Sequence, residues 1–89
     1  MVTINPDIDE LDASTAGVLA GQLARLDAAA DVVVDLRRVT FCDSSGLNVL
    51  VRARQRHVAG GGSLGLAHPS PMLRRLLSVS GLESVFEVA

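Results

Sequence analysis

Two short apolar runs, Val32-Val33-Val34-Asp35-Leu36 and Leu64-Gly65-Leu66-Ala67, flank a stretch that repeats at helical spacing. The first run is β-branched and nearly continuous, the pattern of a strand buried on both faces of a parallel sheet. Between the runs, from Ser45 to about Val58, Leu47, Leu50, Val51, Arg54 and Val58 form one helical stripe, closed by Gly60-Gly61-Gly62. Strand, helix, strand in that order is a βα crossover, because parallel strands cannot be joined by a tight turn.

The rest of the chain continues the alternation. Val2-Thr3-Ile4 reads as a short strand stopped by Asn5-Pro6. Leu11, Thr15, Val18 or Leu19, Gln22 or Leu23, and Leu26 fall at helical spacing, with Asp12 or Ser14 available as N-cap. His68-Pro69-Ser70-Pro71 turns into a third helix with Met72, Leu73, Leu76 and Leu77 on one side, ended by Ser80-Gly81. Ser84-Val85-Phe86-Glu87-Val88 is expected to return as a last strand. The expected fold class is α/β: about four strands in a mostly parallel sheet, three helices packed on it, and a short first strand.

At 89 residues the chain makes one domain, residues 1–89. Hydrophobic residues are 48% of it but aromatics only 2%, so the core is built of small aliphatics. Two phenylalanines give no stacking platform for single-stranded nucleic acid. All eight cations are arginine, and ten carboxylates outnumber them for a net charge of −2, so nucleic acid is not an expected partner. The lone Cys42 cannot form an internal disulfide, and no Cys/His group has zinc-ligand spacing. No apolar run nears the ~18 residues of a membrane span, and the first residues lack the basic and apolar regions of a signal peptide. A soluble cytoplasmic protein without membrane insertion or cofactor is the expectation.

In a parallel sheet, chemistry gathers at the carboxyl ends of the strands. That rule selects two segments: Thr40-Phe41-Cys42-Asp43-Ser44-Ser45-Gly46, ahead of the second helix, and His68-Pro69-Ser70, ahead of the third. On local chemistry, Asp43-Ser44-Ser45-Gly46 is first a helix N-cap, its side chains accepting from free N–H groups of the first turn. It is also a candidate phosphorylation site. A phosphoserine there gains from the helix dipole and sets extra negative charge beside Asp43, which would repel a docked partner.

Enzyme readings fare worse. The Gly-x-Ser-x-Gly nucleophile motif is absent. His57 lies thirteen residues after Ser44 on the same helix, about 20 Å along its axis, out of reach as a base. His68 has no evident third partner. Gly60-Gly61-Gly62 follows a helix and has no lysine beside it, so it is not a phosphate loop. Arg52, Arg54 and Arg56 read as solvated helix surface or as a contact for an acidic partner, and Cys42 as a small core residue.

Taken together, Val32-Val33-Val34-Asp35-Leu36, Val39-Thr40-Phe41-Cys42-Asp43-Ser44-Ser45-Gly46-Leu47, the glycine turn, and the Pro71, Arg75-Leu76-Leu77, Gly81-Leu82 spacing resemble a STAS domain. The nearest resemblance is to bacterial anti-sigma factor antagonists, and it covers roughly residues 9 to 88. Asp43-Ser44-Ser45-Gly46-Leu47 is the most telling stretch; Glu10-Leu11-Asp12-Ala13-Ser14-Thr15 resembles a second family segment, with Asp9 where glycine is usual. The resemblance implies partner switching. The unmodified protein would bind an anti-sigma factor serine kinase, phosphorylation of Ser44 would release it, and a serine phosphatase would reset it. Asp43, Ser45, Gly46 and Leu47 would join Ser44 in shaping the partner-binding surface. The family's fuller N-terminal hairpin and extra C-terminal helix have no counterpart in this sequence, which points to an exposed sheet edge and a possible homodimer or strand exchange. The alternative is a constitutive STAS subunit docked on a lipid-transport ATPase, which needs no phosphorylatable serine.

Overall fold

The computed structural model describes residues 1–88. Its elements run β1 (Val2–Ile4), β2 (Glu10–Leu11), α1 (Ala16–Ala24), β3 (Asp31–Asp35), β4 (Phe41–Cys42), α2 (Ser44–Ala59), β5 (Ser63–Ala67), α3 (Pro71–Val79) and β6 (Glu87–Val88). Four strands form one wholly parallel sheet in the order β1-β3-β5-β6, the α/β architecture expected from the sequence. Its central pair is in register from Asp31 with Ser63 to Asp35 with Ala67. A second sheet pairs β2 with β4, again parallel, with Leu11 beside Cys42.

Because side chains alternate along a strand, the register sorts the sheet into two faces. Val2, Ile4, Val32, Val34, Leu64 and Leu66 share one face with the core leucines: Leu19 and Leu23 of α1, Leu47 and Leu50 of α2, Leu73 and Leu77 of α3. Each fully buried leucine is worth about 1.5–3 kcal/mol of apolar burial. Thr3, Val33, Gly65 and Glu87 share the opposite face and are exposed or half-buried. The expectation of a strand buried on both faces is thereby corrected. All three helices feed one apolar cluster, and the domain has two layers.

Four local readings change. Leu11 is a strand residue; α1 begins only at Ala16, with Thr15 at its N-cap. The Thr15 hydroxyl donates to the Glu10 carbonyl at 2.6 Å and accepts from the Asp12 N–H at 3.0 Å, tying β2 to the helix instead of capping it. Asp12 is no cap either: its carboxylate accepts from the Ser14 N–H and hydroxyl at 2.9 and 2.6 Å. On α2 the buried stripe runs Leu47, Leu50, His57, while Val58 is half exposed and Arg54 only partly covered. His57 is fully buried, and its Nδ1 lies 3.1 Å from the Ala30 carbonyl, which can only accept, so Nδ1 carries the proton. The last strand shrinks to Glu87–Val88, because the Val85 and Phe86 N–H groups turn back to the Leu82 carbonyl and drop Phe86 into the core.

The apolar side of α3 is carried by Leu73 and Leu77, with Met72 exposed, while other readings stand. Ser70 caps α3 by accepting from the Leu73 N–H at 3.1 Å, with Pro71 in the first turn. Gly60 closes α2, and Gly61 follows at φ 90°, a conformation that side-chain-bearing residues rarely adopt.

Candidate functional site

The Asp43-Ser44-Ser45-Gly46 segment is held in place by β2. Asp9 accepts at its carbonyl from the Thr40 N–H at 2.8 Å and the Thr40 hydroxyl at 3.1 Å, and the Asp43 N–H donates to the Leu11 carbonyl at 3.2 Å. With Leu11 and Cys42 in register, the residues that follow them, Asp12 and Asp43, leave the same end of the small sheet. Two acidic residues thus leave the small sheet side by side, Asp43 leading into α2. Sequence reasoning took Asp12 as a helix cap and missed this pairing; the signal lay in the Glu10-Leu11-Asp12 segment singled out by resemblance. The Ser14 side-chain and backbone hydrogen bonds hold the Asp12 carboxyl below its usual range, so it stays ionised.

Asp43 alone caps α2. Its Oδ1 accepts from the Ser45 N–H at 2.9 Å and the Gly46 N–H at 3.3 Å, satisfying two donors of the first turn. Ser44 is therefore the first helical residue, and the cap expected of the segment falls to Asp43. It is exposed, and its hydroxyl takes no part in the capping. Ser45 and Asp43 are half-buried.

Gly46 and Leu47 lie underneath. A β-carbon on Gly46 would fall 2.7 Å from the Leu11 carbonyl oxygen, so only glycine lets β2 and α2 approach this closely. Leu47 belongs to the core. Of these five residues, Asp43, Ser44 and Ser45 reach the surface, and Gly46 and Leu47 are buried beneath them.

Cys42 is buried against this turn, and burial, aided by the Asp43 charge, raises its thiol to about 11, leaving it neutral and unreactive at physiological pH. His68, exposed at the end of β5, adopts φ 52°. Behind it, burial disfavours charge on Asp35, but the Arg37 N–H and guanidinium, at 3.0–3.1 Å, outweigh this and hold the carboxyl below its usual value. Among the described residues no cluster of three His, Cys, Asp or Glu is placed to hold a metal, and no helix is long and apolar enough to cross a membrane.

The chain is similar to known proteins along most of its length. Residues 9–87 fit the family profile described as Mlab, STAS domain. Over 81 residues the chain is 35% identical to the anti-sigma-B factor antagonist of Bacillus subtilis, taking in 90% of this chain and 74% of that protein. Over 57 residues, 64% of this chain, it is 37% identical to a STAS-domain containing protein of Pseudomonas aeruginosa, spanning just over half (56%) of that protein. The unphosphorylated anti-sigma factor antagonist SpoIIAA shares the fold with a TM-score of 0.78 over 98% of this chain and 77% of its own, at 23% identity. The phosphorylated form of SpoIIAA from Bacillus gives 0.69 over 99% and 80%, at 22% identity. With the profile spanning nearly the whole sequence and a relative of this identity along most of it, the chain belongs to the STAS domain family.

Proposed function

We propose that this protein is an anti-sigma factor antagonist, and that phosphorylation of Ser44 switches its binding to an anti-sigma factor serine kinase. One observation carries the reading: Ser44 is exposed on the first turn of α2 while its neighbour Asp43 does all the capping. A kinase would transfer the γ-phosphoryl of ATP to the Ser44 oxygen, with ADP leaving and the hydroxyl proton passing to a base on the kinase. The product carries close to two more negative charges at a helix N-terminus, which the dipole tolerates. Beside Asp43 and Asp12 that charge turns the docking surface strongly acidic, and an acidic or tightly fitted partner leaves. A serine phosphatase restores the hydroxyl with water, releasing inorganic phosphate. The Bacillus relative, named as an antagonist of an anti-sigma factor, supports the same assignment.

The test is intact-mass measurement after incubation with ATP and a candidate kinase from the same genome, with Ser44→Ala alongside. We expect one added phosphoryl group in the parent and none in the variant, and weaker kinase binding by Ser44→Asp. No gain on folded protein with any candidate kinase would return the chain to the constitutive STAS subunit reading.

A further inference from the structure

Neither α1 nor α2 contains an aspartate or glutamate, although the protein has ten carboxylates. Against that, α2 carries Arg52, Arg54 and Arg56, and Arg25 ends α1. An open groove of about 320 Å³ runs between the two helices, lined by Ala20, Ala24, Val49 and Ala53 with Arg52 and Arg56 along one side. Short alanine side chains leave room there for side chains from elsewhere.

Arg52 and Arg56 are one turn apart on one face. Arg56 is pinned: its guanidinium donates to the Leu23 carbonyl at 3.3 Å and the Leu26 carbonyl at 2.6 Å, at the end of α1. Those carbonyls satisfy N–H groups without cancelling the positive charge. Among the described residues the ion pairs are Arg37 with Asp35 and Arg38 with Asp7 and Asp9, so Arg52 and Arg56 have no carboxylate partner. Asn48, a turn before Arg52, extends the polar row, which spans about 12 Å or two turns.

We propose that the α1–α2 groove binds an acidic amphipathic helical segment of a partner protein, its small apolar side chains seated on Ala20, Ala24 and Ala53 and carboxylates four residues apart pairing with Arg52 and Arg56. Helices dock in grooves of this kind through apolar anchors, and the fixed guanidinium row sets the direction and sign of charge. A flat bilayer surface does not follow an open groove between two helices, where Ala20 and Ala53 are half-buried. The surface does not rely on the state of Ser44 and stands apart from the switch.

A displayed library of helical peptides with randomised surface positions, selected on the folded parent and on Arg52→Glu, tests this. We expect parent-selected peptides to carry glutamate or aspartate four residues apart beside small apolar residues, and to bind Arg52→Glu roughly tenfold more weakly. Backbone amide shifts should map to Ala20, Ala24 and Ala53. Circular dichroism confirms that both proteins tested are folded. Selection without acidic peptides, affinity indifferent to Arg52→Glu, or Arg52-dependent binding of phosphatidylglycerol vesicles in place of peptides would overturn the proposal.

Discussion

Gly46 presses its bare α-carbon against Leu11: a β-carbon there would lie 2.5 Å from the Leu11 Cγ and 2.7 Å from its carbonyl oxygen. The small β2–β4 sheet and the first turn of α2 are in contact through that missing side chain. Gly46→Ala must push β2 away, since a carbonyl cannot yield as a flexible side-chain tip can. We expect a loss of about 2–3 kcal/mol, read as a lower urea midpoint at unchanged slope. A midpoint equal to the parent's would mean that the two elements separate without cost.

Asp43 and Ser44 are adjacent yet differ in what they support. Asp43→Ala leaves the Ser45 and Gly46 N–H groups without their acceptor and should cost about 1 kcal/mol. Ser44→Ala removes an exposed hydroxyl outside the cap and should stay within about 0.5 kcal/mol of the parent. Chemical denaturation of the pair decides it; a larger loss for Ser44→Ala would reverse the assignment.

Asp35 gives the fold a pH signature. Its carboxyl is held below the ordinary 3.8 in the folded state, so on acidification the unfolded chain takes up the proton first. The associated stability is fully present above about pH 4 and is lost as pH falls through the folded value. Arg37 is largely exposed, which limits the contribution to about 1 kcal/mol. Stability of Asp35→Asn measured from pH 6 to pH 2 should decline less steeply than the parent's; parallel curves would show that Asp35 is not the group responsible.

The Cys42 thiol, buried and raised to about 11, should resist alkylation by iodoacetamide at pH 7.5 and react promptly once urea exposes it. Mass spectrometry of the native and unfolded protein compares the two rates directly. Rapid native labelling would place Cys42 in a segment that opens often.

How much of this was readable in the sequence depended on element length. The runs Val32–Leu36 and Leu64–Ala67, the long α2 and the Ser70-Pro71 start of α3 declare themselves through periodicity and capping chemistry, and all four appear in the structure. β2 and β4 have two residues each, too few for any period, and exist because Asp9 and Thr40, 31 positions apart, bond to one another. Leu11 and Thr15 sit four apart and mimic a helical face, although one is in a strand and the other precedes α1. Val58 outranks His57 in hydropathy, but the Ala30 carbonyl gives the imidazole a buried partner and turns α2 that way. At the site, the motif was visible; which of its three polar residues holds the helix is decided only by where Oδ1 of Asp43 points.

That division between neighbours bears on time. Ser44 contributes nothing to closing α2, so a group attached to its oxygen can be added and removed repeatedly without the chain passing through an unfolded state. In the proposed switch the tempo of the signal would belong to the kinase and phosphatase alone, and the domain beneath would keep no memory of their visits.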